Sequence, residues 1–229
     1  MRARKCGLIT GPGIWNSNMG RPIVTIVDYD AGNVKSVQRA CRKVGIEAEI
    51  SADPEAVVNS DKVIFPGVGS AVSAVDTLQS RGLDEALKEF YHRGKALLGI
   101  CLGLQIALEH TEEGDKDCLG LLAGACQRFE FSQRSIKVPH IGWNELEVLQ
   151  SHPMLKNIQS GDEFYFVHSY YARMEDSNNV FGITQYGDIE FCSVIGKDNF
   201  FATQFHLEKS GEIGLKLLAE FADWEGGTC

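Results

Sequence analysis

From Pro22 onward, short runs of β-branched residues alternate with segments in which apolar residues recur at helical spacing. The predicted strands cover 23–27, 47–50, 62–65 and the run that ends at Cys101. The predicted helices cover 34–44, 70–80 and 83–93. Strands that alternate with helices in this way are typical of a largely parallel sheet with helices on both faces.

Beyond His110 the pattern changes to strands with little helix between them. The predicted strands of this half cover 121–130, 138–149, 162–174, 180–186, 189–196 and 199–206. An apolar stripe predicts a last helix over 210–223, and the acidic segment 111–117 is predicted to be a solvated surface turn. The predicted fold class is therefore α/β, with a largely parallel central sheet flanked by helices and a more antiparallel C-terminal half.

The chain has 229 residues, of which 44% are hydrophobic and 23% charged, and this composition is that of an ordinary globular protein. No repeat or linker interrupts residues 22–229, which we predict to form a single domain. Residues 1–21 begin with basic side chains, but glycine, proline and asparagine interrupt the remainder of this segment. It is predicted to be a disordered extension and neither a secretory signal nor a membrane span.

Charge and cysteine content narrow the classes of function. A formal net charge of −9 argues against nucleic acid or an anionic membrane as the main partner, and leaves a small polar substrate open. Seven cysteines without a Cys-x-x-Cys pair do not form a disulfide framework and suit the reducing cytoplasm. The six histidines show no metal-ligand spacing. We therefore expect neither a metal nor a cofactor.

The segment Gly-Ile-Cys-Leu-Gly at 99–103 follows an apolar strand and has the form of a nucleophile elbow. Glycines on both sides of Cys101 leave room for the sharp bend, whereas each would destabilise a helix interior by roughly 0.5–1 kcal/mol. A helix that begins at Leu102 would direct its positive end toward the sulfur and favour the thiolate, which is the nucleophilic form. Cys41, Cys126 and Cys192 lie in apolar periodic segments and are expected to be core residues.

A base and its orienting acid are predicted in the segment Gln-Phe-His-Leu-Glu at 204–208. If 200–208 is a strand, His206 and Glu208 project from the same face, and the carboxylate can hold the imidazole in the tautomer that accepts the thiol proton. The turn Pro-Gly-Val-Gly at 66–69 follows the third strand. Because ligands bind at the carboxyl ends of such strands, we expect this turn beside the elbow.

Six segments together resemble the triad-type glutamine amidotransferases, and most closely their members that serve as glutaminase subunits of imidazole glycerol phosphate synthase. The segments are Asp-Ala-Gly-Asn at 30–33, Pro-Gly-Val-Gly at 66–69, Gly-Ile-Cys-Leu-Gly-Leu-Gln at 99–105, Pro-His-Ile-Gly-Trp-Asn at 139–144, Tyr-Phe-Val-His-Ser-Tyr at 165–170 and Gln-Phe-His-Leu-Glu-Lys-Ser at 204–210. The resemblance implies hydrolysis of glutamine to glutamate and ammonia. It also implies a (β/α)8-barrel cyclase partner in a heterodimer, which uses the ammonia in histidine biosynthesis.

The resemblance also implies a role for each matching residue. Cys101 would attack the glutamine amide, His206 would protonate the leaving ammonia, and Glu208 would orient His206. The oxyanion donors would be the N–H of Leu102 and a peptide N–H of the turn formed by Gly67 and Val68. The expected substrate-binding residues are Gly69, Gln105, His168, Ser169 and Tyr170. The expected contacts with the cyclase are Asn33, Trp143 and Lys209.

Several of these residues have a plainer interpretation. Gln105 can be interpreted as a surface residue of a helix, and His168 as a hydrogen-bonded histidine in the core. Asn33 can be interpreted as the cap of the first helix, Trp143 as a ring that packs under a loop, and Lys209 as a solvated side chain. The sequence alone leaves both interpretations open for each residue.

Two positions depart from the family pattern. Leu207 replaces the usual proline between histidine and glutamate, and residues 210–213 lack a usual lysine. The altered charge keeps open a paralogous glutaminase that supplies ammonia to a different synthase, such as one that amidates a sugar. A stand-alone cysteine amidase or peptidase and a non-catalytic regulatory subunit also stay open as interpretations.

Overall fold

A computed structural model describes residues 22–30, 32–133 and 135–227. The expected disordered extension over 1–21 lies outside these residues. The helices α1 to α6 are Val34–Lys43, Pro54–Asn59, Ala71–Arg81, Leu83–His92, Leu102–Ile106 and Gly211–Asp223. The strands β1 to β7 are Val24–Val27, Ala48–Ser51, Lys62–Gly67, Leu97–Cys101, His110–Thr111, Lys116–Asp117 and Gly124–Arg128. The strands β8 to β14 are His140–Glu145, Glu147–Val148, Glu163–His168, Tyr170–Met174, Val180–Tyr186, Ile189–Lys197 and Phe200–Thr203.

The main sheet has a parallel half and a mostly antiparallel half. Strands β2, β1, β3, β4 and β14 lie side by side and run parallel. The sheet continues through β13, β11 and β7 with antiparallel pairing, and β12 pairs antiparallel with β13. The predicted fold class is therefore confirmed. A separate two-stranded sheet is formed by β8 and β10.

The parallel strands are buried on both faces, because helices cover each side of the sheet. Every residue of β1, β3, β4 and β14 is buried, as expected for near-continuous hydrophobic strands between helical layers. One core cluster includes Val37 of α1 and Phe221 of α6, and the other includes Leu78 of α3 and Phe90 of α4. These two layers hold the carboxyl ends of β3 and β4 in fixed positions.

Two of the predicted long strands are broken. The predicted strand 162–174 divides at Ser169, and β10 pairs with β8 while β11 joins the main sheet between β7 and β13. The predicted strand 138–149 divides at Leu146 into β8 and β9, which pair with different strands. A hydrophobic pattern records which side chains are buried but not which strand provides the hydrogen bonds. The change of partner is therefore invisible in the sequence pattern.

The prediction of a solvated turn at 111–117 is confirmed over 112–115, which form a turn with Glu112, Gly114 and Asp115 exposed, although two of its carboxylates are also hydrogen-bonded. This segment contributes to the hairpin of β5 and β6. Glu113 Oε2 accepts a hydrogen bond of 2.9 Å from the backbone N–H of Ala71, the first residue of α3. Glu112 Oε2 accepts one of 2.7 Å from the N–H of Arg128. The carboxylates are held because the free N–H groups of a helix start and of a strand end need acceptors.

The short helix α2 is missing from the sequence prediction, although its start carries a signal. Asp53 Oδ1 accepts a hydrogen bond of 3.0 Å from the N–H of Glu55, and Pro54 is the first helical residue. An aspartate cap followed by proline is a common helix start. At six residues, α2 is too short to show an apolar period.

Candidate active site

The nucleophile elbow is formed where β4 ends at Cys101 and α5 begins at Leu102. Cys101 has φ 54° and ψ −102°, a backbone conformation that non-glycine residues rarely adopt. A Cβ atom on Gly103 would lie 1.8 Å from the carbonyl oxygen of Phe65, and one on Gly99 would lie 2.9 Å from the Cβ of Ala202. Gly103 therefore allows α5 to close against β3, and Gly99 allows β4 to lie closely beside β14, as the elbow prediction requires.

The other cysteines are distinguished from Cys101 by their surroundings. Cys41 and Cys126 are fully buried, which confirms the expectation for both, whereas Cys192 is only partly buried. Burial raises the pKa of the Cys41 thiol to about 12. Burial, together with the charge of Asp117, raises the pKa of Cys118 to about 11. These thiols are therefore protonated at neutral pH and are poor nucleophiles.

His206 and Glu208 form a buried ion pair. The Nδ1 atom of His206 lies 2.7 Å from Oε1 of Glu208, and each side chain is 1% exposed. The strand predicted over 199–206 is shorter, since β14 ends at Thr203, and the condition of a strand over 200–208 is not met, because a 3-10 turn covers Leu207–Lys209. The N–H of His206 bonds the carbonyl of Tyr165 in β10, so the chain has already left the main sheet. The turn, and not strand alternation, brings the carboxylate to the ring.

Charges around His206 favour its protonated form. Burial by itself lowers the pKa of the imidazole, but the negative charges of Cys101 and Glu208 outweigh it and raise the pKa to about 10. Burial likewise opposes the charge of Glu208, yet hydrogen bonds from His206 and Asn33 lower the pKa of its carboxyl. Since Nδ1 is bonded to Glu208, Nε2 is left to exchange a proton with the sulfur. The arrangement supports an imidazolium beside a carboxylate.

The turn after β3 lies directly beside the elbow, as expected from the topology. Gly67 pairs in register with Cys101. The Tyr29 hydroxyl donates a hydrogen bond of 2.9 Å to the carbonyl of Pro66, and a Cβ on Gly67 would lie 2.0 Å from that hydroxyl oxygen. Val68 is half-buried, and Gly69 is exposed with φ 100°. The predicted roles of Leu102, Gly67 and Val68 as oxyanion donors remain predictions.

Gln105 is buried, so its interpretation as a surface residue is wrong. Its Nε2 atom donates to the carbonyl of Tyr170 at 2.8 Å and to Oε1 of Gln204 at 3.1 Å. His168 is also buried, and its Nδ1 lies 2.8 Å from the same carbonyl of Tyr170 while its Nε2 lies 3.1 Å from Nδ1 of His140. Burial lowers the pKa of His168 to about 3, so this ring is neutral. Its geometry is that of a hydrogen-bonded core histidine.

Ser169 and Tyr170 are half-buried beside this network. The carbonyl of Ser169 accepts a hydrogen bond of 3.0 Å from the N–H of Phe129. Recognition of glutamine by this segment, by Gly69 and by Gln105 stays a prediction.

The three residues expected to meet a partner lie around the turn that carries Glu208. Asn33 precedes α1, but its side chain makes no capping bond and donates instead to Oε1 of Glu208, so the capping interpretation is wrong. Trp143 is 53% exposed and packs edge-on against the Tyr165 ring, so it does not lie under a loop. Its ring lies 3.9 Å from the position of a Cβ on Gly211, two residues after the exposed Lys209.

Gln204 and Tyr29 touch the site but were not predicted to do so. Gln204 Nε2 lies 3.7 Å from the Cys101 sulfur and donates to it. The signal for Gln204 was its place two residues before His206. Tyr29 carries no such signal, since its contact with the Pro66 carbonyl joins residues 37 positions apart.

Neither a metal site nor a membrane-spanning helix is found in the described part of the chain. Residues 22–30, 32–133 and 135–227 contain no group of three or more His, Cys, Asp or Glu side chains placed to hold a metal ion. Over the same ranges, no helix is both long and apolar enough to cross a lipid bilayer.

A cysteine, a histidine and a glutamate at the carboxyl ends of a parallel α/β sheet define a triad-type cysteine hydrolase. The model of the class-I glutamine amidotransferase family matches residues 25–223. The chain belongs to this family of glutamine amidotransferases.

Curated relatives carry a more specific name, imidazole glycerol phosphate synthase subunit HisH. The protein of Dehalococcoides mccartyi strain CBDB1 is 44% identical over 200 residues, which are 87% of this chain and 96% of the relative. That of Maridesulfovibrio salexigens is 45% identical over 207 residues, 88% of this chain and 97% of the relative. The protein of Neisseria meningitidis serogroup B is 42% identical over 210 residues, which are 87% of this chain and 98% of the relative.

Solved structures share the fold at lower identity. A structure described as a glutamine amidotransferase aligns with a TM-score of 0.68 and 19% identity, over 88% of this chain and 100% of the other. The structure of PurLQS from Thermotoga maritima aligns with a TM-score of 0.68 and 21% identity, over 89% of this chain and 98% of the other. These likenesses confirm the α/β architecture.

Proposed function

We propose that this protein hydrolyses glutamine to glutamate and ammonia through a thioester on Cys101, and that the ammonia serves the synthesis of imidazole glycerol phosphate in histidine biosynthesis. The observation that carries the chemistry is the buried pair of His206 and Glu208 beside the Cys101 elbow. The relatives at 42–45% identity, all named as HisH subunits, support the pathway.

The proposed reaction has two halves. The Cys101 thiolate forms a C–S bond to the amide carbon, and the C–N bond breaks when the protonated His206 delivers its proton to the leaving nitrogen. Water then attacks the thioester carbonyl while His206 accepts its proton, and glutamate leaves as the thiol is restored. Glu208 holds the ring through Nδ1 during both halves, at 2.7 Å.

Glutamine needs an opening to reach this centre. Cys101 and Gln105 are each 5% exposed, and His206 is 1% exposed. The partly exposed turn at Val68 and Gly69 is the adjacent segment whose movement would uncover the sulfur and supply an oxyanion donor. We propose that the lone subunit is therefore slow and that a loaded partner opens the site.

The proposed partner is a (β/α)8-barrel cyclase, which forms a heterodimer with this chain. Its docking surface would include Asn33, Trp143 and Lys209, since all three lie around the Glu208 turn and Trp143 exposes half of its ring. Large exposed aromatic rings are frequent anchors of protein interfaces. Five described cysteines are free thiols, which supports a reducing cytoplasm as the compartment.

The test measures glutamate release from glutamine by the full chain alone, with a cognate cyclase, and with the cyclase and its nucleotide substrate. Cys101→Ala serves as the blank, and Cys118→Ala as a matched cysteine control outside the site. We expect strong stimulation by the loaded cyclase, dependent on Cys101 and unaffected by Cys118→Ala. Turnover that depends on Cys101 but ignores the cyclase would indicate a different ammonia acceptor or a stand-alone amidase, and no turnover in any mixture would contradict the enzymatic proposal.

A further inference from the structure

We propose that Gln204 is a further catalytic residue, whose side-chain amide donates a hydrogen bond to the Cys101 sulfur and stabilises it as the thiolate. The inference rests on the proposed function, since it assumes that Cys101 is the nucleophile. Gln204 Nε2 lies 3.7 Å from Sγ, within the range for a hydrogen bond to sulfur, and the whole residue is buried.

The orientation of the Gln204 amide is fixed by its neighbours. A side-chain amide can be turned so that either its oxygen or its nitrogen approaches the sulfur. Here Oε1 of Gln204 accepts a hydrogen bond of 3.1 Å from Nε2 of Gln105, which places the Gln204 nitrogen on the side of Cys101.

The orientation of Gln105 is fixed in turn by a backbone carbonyl. Its Nε2 also donates to the carbonyl oxygen of Tyr170 at 2.8 Å, and a carbonyl oxygen can only accept. If the Gln105 amide were turned over, its oxygen would meet this carbonyl and the oxygen of Gln204. Both hydrogens of Gln105 Nε2 are therefore used, one on the Tyr170 carbonyl and one on Oε1 of Gln204, and Gln204 in turn donates to the nucleophile.

An amide at this buried position needs a chemical reason. The segment Phe-Phe-Ala-Thr-Gln-Phe at 200–205 is otherwise almost wholly apolar and buried, and a methionine or leucine would fill a similar volume. Burying a polar amide is unfavourable unless its groups are hydrogen-bonded. The bond to sulfur satisfies an N–H of Gln204, and it strengthens when the sulfur becomes negative, because hydrogen bonds to charged acceptors are stronger than neutral ones.

The role differs from that of the triad base. His206 stores and returns the proton of Cys101, so its stabilising charge disappears when the proton leaves it during the reaction. The Gln204 donor is neutral and stays in place at every step. It would favour the thiolate both in the free enzyme and when the thioester is broken and sulfur departs.

The test measures how fast iodoacetamide alkylates Cys101 as a function of pH, with the Cys101 peptide followed by mass spectrometry. Gln204→Met keeps the approximate volume and removes the donor, and Gln204→Glu keeps the shape and places a negative charge against the sulfur. Ser193→Ala is the structural control, because it removes a buried hydrogen bond of 2.9 Å that Ser193 accepts from Thr184 in the adjacent strand, without touching the sulfur.

We expect the midpoint of the alkylation profile to rise by about one pH unit in Gln204→Met, which corresponds to about a tenfold increase in the proton affinity of the thiolate. The rise should be larger in Gln204→Glu, and Ser193→Ala should keep the wild-type midpoint. Circular dichroism identifies a variant that does not fold, and either Gln204 variant alone suffices for the comparison. Unchanged midpoints in folded Gln204 variants would overturn the proposal and assign Gln204 a packing role.

The readout also separates this inference from the proposed function. Alkylation needs neither glutamine nor a cyclase, so a shifted midpoint in a protein without glutaminase activity would retain the role of Gln204 at an activated cysteine. Glutamine hydrolysis with unshifted Gln204 profiles would retain the function and reject this residue's role.

Discussion

Asn33 donates a hydrogen bond to the same Glu208 oxygen that pairs with the His206 ring, although Asn33 and Glu208 are 175 residues apart in sequence. Asn33 has φ 63°, a left-handed conformation that asparagine tolerates better than most residues. The residue before the first helix therefore fixes the acid of the proposed triad, whose other members are Cys101 at the end of β4 and His206 in the segment after β14. Two donors on one oxygen leave the carboxylate a single orientation.

Asn33→Gly tests this positioning without straining the backbone, because glycine accepts a positive φ. Loss of the donor should lower kcat by about tenfold, the size expected for a hydrogen bond to a charged group. It should also move the acid limb of the activity profile to higher pH, since the Asn33 bond helps to lower the pKa of Glu208. The measurement is kcat across pH, and a drop in kcat with an unmoved acid limb would contradict a role through Glu208.

The pH dependence of stability should report the charge on His206. Its folded pKa of about 10 lies above the usual 6.5, so its contribution to stability is full below about pH 6.5 and is lost as the pH rises toward 10. In Cys101→Ala the sulfur charge is gone, so the folded pKa should be lower and the loss of stability should be smaller and complete at a lower pH. Histidine NMR titration and urea unfolding across pH 6–10 measure both effects. An identical His206 titration in the two proteins would show that the sulfur does not charge the ring.

Gly103→Ala should be among the most destabilising glycine substitutions in the chain. Its new Cβ would lie 1.8 Å from the Phe65 carbonyl oxygen, so α5 or β3 would have to shift. We expect a loss of more than about 3 kcal/mol, comparable to the large core effects of overpacking. Gly45→Ala is the control, because Gly45 has φ +83° with no atom within 4 Å of the added Cβ. That change should cost only about 1–2 kcal/mol from backbone strain.

Urea unfolding compares the two glycine variants directly. The order of their stabilities separates steric crowding at the elbow from the general cost of a positive φ. A Gly103→Ala protein as stable as Gly45→Ala would mean that α5 can move away from β3 freely, and that the elbow is not tightly held.

Local patterns in the sequence are sufficient to predict the parallel half of the fold and the nucleophile elbow. Helical and strand periods identify β1, β3, β4, α1, α3 and α4, and the spacing of Gly99 and Gly103 around Cys101 identifies the turn. The same local patterns fail where a long-range partner decides the structure. The break at Ser169 depends on which strand accepts the backbone bonds, and the Asn33 bond depends on a turn far along the chain. The approach of Gln204 to sulfur is likewise a tertiary contact.

Leu207→Pro tests the departure from the usual proline between the triad histidine and acid. His206 has φ −90° and ψ 107°, the extended conformation preferred before proline, and Leu207 is the first residue of the 3-10 turn. Activity should therefore stay within about threefold of wild type, since the backbone already fits proline. Stability should fall by about 1–2 kcal/mol, because Leu207 is 1% exposed and proline fills less of its space. A much larger loss of activity would show that the leucine backbone adopts a geometry closed to proline.

Trp143→Ala tests the proposed docking surface for the cyclase. The ring is 53% exposed and packs mainly against Tyr165, so its removal should change the free energy of unfolding by about 0.5 kcal/mol or less. An anchor residue at an interface contributes about 2 kcal/mol or more, so the Kd for the cyclase should rise by at least about 30-fold.

Leu149→Ala is the matched control, since Leu149 is 50% exposed and lies just after β9, outside the proposed surface. Kd is measured by calorimetry, and glutaminase activity is measured with and without the loaded cyclase. Basal activity should be unchanged in both variants, whereas only Trp143→Ala should need more cyclase for full stimulation. Equal affinities in the two variants would move the docking surface away from the Glu208 turn.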